Sequence, residues 1–191
     1  MKPFLVAPMA LVATSLFASS ATASTLPSMD FQKGQTTVAI GLTDVSLDYA
    51  LRDGLSIGIS GAYVLPAALM LAPGTVGAAR VTQHLTRIYN LDVGMTLSVG
   101  YGAFTIPGPD FSNRWAKWWW QPALNFALIK APPFERWTPR ITLGPVLWLD
   151  QQPAGSDSWL PLPNIELGYR LDQRNELTLG GNSLFGWRMV I

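Results

Sequence analysis

The chain has 191 residues and a formal net charge of +1, and it is 49% hydrophobic, only 13% charged and free of cysteine. Soluble domains carry about 25% charged residues, so this composition is unusual for one. The lack of cysteine excludes disulfides, thiolate metal sites and a lipidated cysteine anchor, and the near-neutral charge gives no indication of a nucleic-acid surface.

The N-terminal segment has the pattern of a secretion signal. Lys2 supplies a positive charge, residues 4–17 form an apolar run, and Ala21-Thr22-Ala23 fits a small-x-small cleavage site. We expect residues 1–23 to be a cleaved signal peptide. The alternative, a membrane helix retained as an anchor, fits less well because the apolar run is short and rich in Ala and Ser at its end.

The rest of the chain alternates between apolar and polar residues, which indicates β-strands. In residues 91–101 every odd position is apolar or aromatic, and every even position is Asp, Gly, Thr or Ser. Connectors rich in Gly, Pro, Asn and Asp separate such segments, and no helical crossover interrupts them, so the strands should be antiparallel. The other segments with this alternation are 45–51, 55–65, 79–85, 118–128, 137–149, 163–171 and 184–191.

We therefore expect an all-β protein, an antiparallel up-and-down transmembrane β-barrel of eight strands over residues 36–191, preceded by an N-terminal periplasmic segment at residues 24–35. This count treats residues 36–51 as one bent strand, and it places both termini on the side of the longer loops. Ten strands, with turns at Thr43-Asp44 and Gly180-Gly181-Asn182, is the alternative and removes that conflict. It requires a strand at residues 176–179, shorter than the ~9–11 residues that cross a bilayer, and the alternation runs unbroken over 177–191.

The distribution of charge favours an apolar outer face. The opposite face is rich in Gly, Ala, Ser and Thr, which suit a crowded lumen, and an Arg or Lys facing lipid would cost roughly 2–4 kcal/mol at the midplane. The competing interpretation is a lipocalin-like soluble barrel with an aromatic pocket. The mid-strand charges all lie on the small-residue face and are expected to form a lumenal network: Asp48, Arg80, Arg140, Glu166, Arg170 and Arg188.

Aromatic residues are expected to form girdles at the two membrane interfaces. Residues 115–120 and the connector 66–73, with Ala-Ala-Leu-Met-Leu at its centre, are further candidates for contact with the membrane surface. The aromatic residues that lie toward strand ends or on the apolar face are Trp115, Trp118, Trp120, Trp137, Trp159, Trp187, Tyr63, Tyr101 and Tyr169.

Over most of residues 35–191 the architecture resembles the small bacterial outer-membrane barrels of the OmpA and OmpX type. The final Gly186-Trp187-Arg188-Met189-Val190-Ile191 resembles the C-terminal assembly signal of such barrels, which usually ends in Phe or Trp and here ends in Ile191. The resemblance implies an outer-membrane location reached through the periplasm, insertion by the barrel-assembly machinery, and contact with outer-membrane lipids and lipopolysaccharide.

Few residues indicate chemistry. His84 is the single histidine, and on the polar face near Arg80 and Asp92 it is a candidate general base. The interpretation that we favour is a lumenal hydrogen-bonding residue at a strand end. One histidine without cysteine does not predict a metal site, and no motif indicates a cofactor.

Prolines inside the predicted strands are the anomaly, because proline cannot donate to a strand ladder. They either mark strand ends or have a function. Trp159-Leu160-Pro161-Leu162-Pro163 with Gly168-Tyr169, and Phe185-Gly186-Trp187-Arg188-Met189, resemble segments of the lipid A palmitoyltransferase family (PagP), where prolines open lateral gates for a lipid chain. That match covers a minority of the chain and carries over no catalytic residue. The prolines concerned are Pro122, Pro139, Pro145, Pro161 and Pro163.

The sequence thus favours a non-enzymatic outer-membrane barrel with a structural, adhesive or envelope-interaction role and a narrow, ion-paired lumen. A lipid-modifying enzyme similar to a lipid A acyltransferase and a narrow pore are the alternatives. No nucleic-acid partner is expected, and the oligomeric state is open.

Overall fold

In the computed structural model, the described residues form a single closed β-barrel. The structure describes residues 29, 31–64, 74–105, 114–129, 135–145, 147–148, 164–180 and 185–191. The strands are β1 (Thr36–Gly41), β2 (Asp44–Arg52), β3 (Leu55–Val64), β4 (Gly74–Ile88), β5 (Leu91–Thr105), β6 (Arg114–Leu128), β7 (Trp137–Leu143), β8 (Leu147–Trp148), β9 (Asn164–Arg170), β10 (Asn175–Gly180) and β11 (Phe185–Val190).

The barrel is an antiparallel meander closed between its first and last strands. Strands that follow each other in sequence pair in the wall, except that β9 pairs with β7 rather than with β8, and β1 pairs with β11 to complete the ring. β7 and β8 both pair with β6, one after the other, and therefore share one position in the wall. The barrel has ten strand positions.

The prediction of eight strands is wrong, and the ten-strand alternative is confirmed. Residues 36–52 are not one bent strand, because Ile40 pairs antiparallel with Val45 across the two-residue turn Leu42-Thr43. Likewise, Leu179 pairs with Phe185, so the chain reverses between β10 and β11. Leu179 and Phe185 are both odd-numbered, so the same alternation of faces continues from β10 into β11 and hides the turn in the sequence.

The wall is uneven in height. A strand shorter than the ~9–11 residues that usually cross a bilayer therefore fits into it, and the short segment 176–179 did not exclude ten strands. β4, β5 and β6 have 15 residues each. β1, β10 and β11 have six residues each, and β9 has seven. The short strands lie side by side around the closure, so a short β10 has neighbours of matching length.

The two ends of the barrel differ. One end, here named the turn end, carries the connections 53–54, 89–90 and 171–174 together with residues 31–35 and 191. The opposite end, named the loop end, carries the Leu42-Thr43 turn and the strand ends that lead into residues 65–73, 106–113 and 149–163. With ten strands, residues 31–35 and 191 lie opposite those longer connections, so the conflict of the eight-strand arrangement disappears.

Side chains alternate between the lumen and the outer wall, because a strand has a period of two residues. Inward residues are small or polar: Thr82 and Glu166 are 0% exposed and Arg188 is 3% exposed. Large apolar residues point outward, with Ile59 at 61% and Ile165 at 57% exposed. The described barrel therefore has a polar interior and an apolar outer wall.

Several sequence-based expectations lie outside the described residues. These are the signal peptide at residues 1–23, the first part of the segment 24–35, the connector 66–73, Trp159, Pro161 and Pro163. In the part of the chain that the structure describes, no helix has the length and apolarity needed to span a membrane.

Candidate functional site: the lumen of the barrel

Four charged side chains form a compact ion-paired quartet in the lumen, here named the Arg–Glu quartet: Arg140, Glu166, Glu176 and Arg188. Arg140 donates from Nη1 to Glu166 Oε1 (3.1 Å) and from Nη2 to both Glu176 oxygens (2.9 and 2.7 Å). Arg188 completes the ring, with Nη1 2.8 Å from Glu176 Oε2 and Nη2 3.0 Å from Glu166 Oε1. Two positive and two negative charges thus compensate each other across four strands.

The quartet exists because one strand position lacks a side chain. Gly168 lies on β9 beneath the Glu176 carboxylate, and a Cβ there would overlap that carboxylate and lie 2.7 Å from Arg140 Nη1. Buried charges are tolerated in proteins when they are paired and hydrogen-bonded. All four members are at most 8% exposed, so the quartet blocks this side of the lumen.

A second ion pair spans a neighbouring part of the wall. Asp48 on β2 and Arg80 on β4 are both in register with Gly58 of β3, which lies between them. Arg80 donates from Nε to Asp48 Oδ1 at 2.8 Å and also from Nη2 to Oδ2. The Asp48 carboxylate occupies the space above Gly58, so the pair depends on the absence of a side chain there.

Neutral polar side chains form a hydrogen-bonded chain across β4, β5, β6 and β7. The hydroxyls of Thr82 and Thr96 are 2.9 Å apart, and Asn125 Nδ2 donates to Thr96 Oγ1 at 2.7 Å. Thr142 Oγ1 donates to Asn125 Oδ1 at 2.8 Å. All four residues are buried, so this chain lines the inner wall over four neighbouring strands, on the turn-end side of its middle.

His84, the candidate general base, lies beside a fully buried acid at the turn end. A bulge between His84 and Thr86 turns Arg87 to the same face, so that both approach Asp92. Arg87 donates to Asp92 from Nε (2.5 Å) and Nη2 (2.9 Å), whereas His84 Nε2 is 3.4 Å from Asp92 Oδ1. His84 Nε2 has no hydrogen-bond partner among the described residues, so the structure shows no hydroxyl that His84 would activate as a general base.

Two bulky side chains fill the lumen over glycines of β5. Trp119 is 0% exposed, and its ring occupies the space that a Cβ at Gly100 would need. Met29, 5% exposed, contacts the equivalent space above Gly94 and packs with Ala127 and Ile129. Trp119 lies in the loop-end half and Met29 at the turn end, so both halves of the lumen are obstructed.

Some buried polar groups in the lumen have no hydrogen-bond partner of normal geometry within the described residues. They include the Asp44 carboxylate, the Trp119 indole N–H, the side-chain amide oxygen of Gln121 and the Thr178 hydroxyl. Buried polar groups without protein partners are usually satisfied by water. We therefore expect bound water in the loop-end half of the lumen, where Asp44, Trp119 and Gln121 lie.

A cavity of about 480 Å³ opens at the turn end and is here named the vestibule. The Arg–Glu quartet contributes to its floor, and the turn 171–174 forms part of its rim. Hydrogen bonds from the Asn175 amide and then from the Arg174 backbone N–H lower the pKa of the exposed Asp172 carboxyl in this turn. The charged residues that line the vestibule are Arg140, Arg170, Arg174, Arg188, Asp172 and Glu176.

Of the three predicted in-strand prolines within the described residues, Pro122 and Pro145 lie at an interruption of the wall. Pro122 lies in β6 between the two stretches that pair with β7 and β8. The pairing with β7 ends at Leu124 opposite Leu143, and the pairing with β8 begins at Trp120. Pro145 lies in the interruption itself, and the Gly144 carbonyl accepts a hydrogen bond from the Gln121 side chain at 3.0 Å. Pro139, by contrast, lies inside β7 opposite Leu167. Among the described residues, the backbone hydrogen-bond ladder between β6 and the β7–β8 strand is thus interrupted around Pro122.

The aromatic residues predicted for the girdles occupy both ends of the wall. Tyr101 and Trp118 are in contact near the loop end, with ring centroids 5.2 Å apart. Trp137 and Tyr169 form a similar pair near the turn end at 4.8 Å. The others are the outward or half-buried Tyr63, Trp120 and Trp187, the Trp115 side chain, which is not described, and Trp159, which lies outside the described residues.

Of the six charges predicted for the lumen, the structure brings Arg140, Glu166 and Arg188 into one cluster and Asp48 and Arg80 into another, while Arg170 lines the vestibule. Sequence reasoning missed Glu176, the fourth member of the quartet. Its signal was present, because Glu176 has the same alternation as Arg188, but the segment was judged too short for a strand.

Metal binding finds no support in the described residues, which contain no group of three or more His, Asp or Glu able to hold an ion. Comparisons of the chain with protein-family models, with curated proteins and with solved structures find no match.

Proposed function

We propose that this chain is an integral outer-membrane β-barrel with a structural or envelope-interaction role and a lumen closed to ions. The observation that carries the proposal is the inverted distribution of side chains. The charged residues Arg80, Arg140 and Glu166 are at most 6% exposed inside, whereas large apolar residues cover the outer wall. Exposed apolar patches beyond a few hundred Å² are rare in soluble monomers, and a lipid environment removes that cost.

A lipocalin-like soluble barrel accounts poorly for this distribution. Such a barrel fills its interior with apolar side chains or an apolar ligand and presents polar residues to water. Among the described residues, the largest fully buried side chains after Trp119 are those of Glu166 and Thr82. The outward Leu97, Val99 and Ile59 would instead be exposed to water.

The closed lumen favours a scaffold over a pore. The Arg–Glu quartet, the Asp48–Arg80 pair, Trp119 and Met29 obstruct the interior at different heights. In the proposed orientation the turn end faces the periplasm, and the longer connections at the loop end face outward. Contacts with other envelope components would then come from the loops and from the vestibule.

Outer-membrane fractionation combined with heat-modifiable gel migration tests the barrel and its location together. We expect the protein in the outer-membrane fraction, with faster migration when it is not boiled. Planar-bilayer recording should then show no steady conductance. Recovery from the soluble periplasmic fraction would reject the membrane location, and a stable conductance would replace the scaffold with a pore.

A lipid-modifying enzyme is a second candidate, favoured by the interruption between β6 and the β7–β8 strand opposite Pro122. A weakened ladder there would let an acyl chain approach the lumen from the bilayer. Mass spectrometry of lipid A from cells with and without the gene tests this candidate. Unchanged lipid A would reject lipid A modification, and a change abolished by His84→Ala would place His84 in the active site.

A further inference from the structure

The vestibule contains more guanidinium groups than carboxylates. Its lining includes Arg140, Arg170, Arg174 and Arg188 but only the two carboxylates of Asp172 and Glu176. Arg140 and Arg188 are compensated by the glutamates of the Arg–Glu quartet. The rim therefore carries the excess positive charge.

The rim arginines have no carboxylate of their own. Within the described residues, neither Arg170 nor Arg174 makes a salt bridge, although Arg170 lies beside Glu176 in the sheet register. Glu176 instead directs both oxygens to Arg140 and one to Arg188. The acid nearest to Arg170 in the sheet is thus already committed to the quartet.

Asp172 is also committed, because it holds the turn. Its Oδ1 accepts the backbone N–H groups of Arg174 (2.7 Å) and Asn175 (2.8 Å), and its Oδ2 accepts the Asn175 amide (2.8 Å). Pairing with either rim arginine would compete with these bonds. Arg174 is close enough to Asp172 to contribute to the lowered pKa of that carboxyl, but no salt bridge within the described residues joins them. The guanidinium groups of Arg170 and Arg174 therefore keep hydrogen-bond donors for an external partner.

We propose that the vestibule binds an oxyanion, a phosphate or carboxylate group, through Arg170 and Arg174 above the Arg–Glu quartet. The planar guanidinium fork matches the paired oxygens of phosphate and carboxylate. The cavity of about 480 Å³ lies within the ~300–1,000 Å³ typical of ligand sites. Arg140 and Arg188 compensate the charges of Glu166 and Glu176 in the floor, so no unpaired buried carboxylate repels an anion at the rim arginines.

The site opens at the turn end, the side that also carries residues 31–35. It would give the barrel an attachment point for an anionic ligand on that side. The inference does not rest on the membrane location, because it can be tested on the folded barrel in an uncharged detergent.

The test is titration of the full chain in maltoside detergent with sodium phosphate and, separately, with sodium acetate, at constant ionic strength. Isothermal calorimetry measures the affinity of each anion. We expect saturable phosphate binding that Arg170→Gln and Arg174→Gln each weaken by about tenfold, the value of one charge-assisted contact. Arg170→Lys keeps the charge but loses the fork, so its effect should be intermediate.

Arg52→Gln is the matched control. Arg52 is an exposed arginine at the turn end, the last residue of β2, and it does not line the vestibule, so its loss changes the net charge equally. We expect less than about a twofold effect, the size of a screened distant charge. Heat-modifiable migration verifies that each variant is folded.

The outcomes separate clearly. Binding of acetate without phosphate would assign the site to carboxylates within the same proposal. Equal weakening by Arg52→Gln and Arg170→Gln would reduce the effect to general charge attraction and overturn the proposal. Absence of saturable binding of either anion up to about 10 mM would overturn it as well.

Discussion

The indole of Trp119 lies over Gly100 of the neighbouring strand, and its ring occupies the space that any side chain at residue 100 would need. Trp118, the preceding residue, points the other way and is 52% exposed, whereas Trp119 is 0% exposed. Adjacent tryptophans of β6 therefore serve opposite faces, one obstructing the lumen and one on the outer wall. The pairing of a large ring with a glycine makes this contact sensitive to a single methyl group.

Gly100→Ala should destabilise the barrel by about 1–3 kcal/mol, the usual cost of overpacking. The added Cβ would overlap the Trp119 ring and lie 2.7 Å from the Gly77 carbonyl oxygen, so a shift of the ring alone cannot relieve it. Urea unfolding in lipid vesicles measures the change. Gly77→Ala is the matched control, because its Cβ would have no atom within 4 Å; equal effects of the two variants would argue against the Trp119 contact.

The Arg–Glu quartet should behave as one unit. Arg188→Met leaves Glu166 and Glu176 with a single arginine, and we expect it to cost about 3–5 kcal/mol, as for other broken buried pairs. Arg188→Met combined with Glu176→Met removes one charge of each sign, and should cost about 1–3 kcal/mol less than the sum of the single variants. Denaturant unfolding of all three variants completes the cycle. Strict additivity would mean that the charges are not coupled.

Depth within the bilayer should determine the cost of a charge on the outer wall. Leu97 lies in the middle of β5 and is 43% exposed, whereas Ile88 is the last residue of β4 and is 53% exposed. Leu97→Arg should cost roughly 2–4 kcal/mol in vesicles and Ile88→Arg roughly 0–1 kcal/mol. Unfolding in vesicles measures both. A barrel that Leu97→Arg leaves equally stable would contradict the proposed placement of this face in lipid.

The turn at residues 171–174 should depend on pH through Asp172. Because the pKa of this carboxyl is lowered in the folded protein, first by the Asn175 amide, the folded state binds fewer protons than the unfolded state. Its stabilisation is therefore present above the usual pKa of Asp, about 3.9, and is lost as the pH falls through the lowered value. Asp172→Ala should lower the urea midpoint at pH 7, and this effect should shrink as the pH falls below the usual pKa of Asp. Glu135→Ala, at an exposed turn residue, is the control and should leave the urea midpoint unchanged over the same pH range.

Much of the lumen was predictable because residue alternation assigns a face without knowledge of the partners. Asp48, Arg80, Arg140, Glu166 and Arg188 were all placed inside on this basis, and the structure places them there. Which of them meet was not predictable. Arg140 bonds to Glu176, 36 positions away, because β7, β9 and β10 are adjacent and Gly168 leaves room between them.

The number of strands was not predictable, because neither of the two missed turns stands out in the sequence. The buried face shifts from odd-numbered residues in β1, such as Ala39, to even-numbered residues in β2, such as Ser46. The turn between them, Leu42-Thr43, lacks the Gly, Asn or Asp that marks most tight turns. The unbroken alternation from Leu177 to Ile191 concealed the second turn. Length was a poor guide because a minimum strand length assumes a wall of even height, and this wall is low around the closure.

The amino-acid sequence by itself determined the strand class, the small-residue face and the charges that this face carries, because side-chain alternation along a strand is a local property of the backbone. Only the tertiary structure decided the ten strands, the Arg–Glu quartet and the vestibule with its rim arginines. These depend on the pairing of β1 with β11 and on the register around the ring, which bring residues distant in sequence to the same height in the lumen.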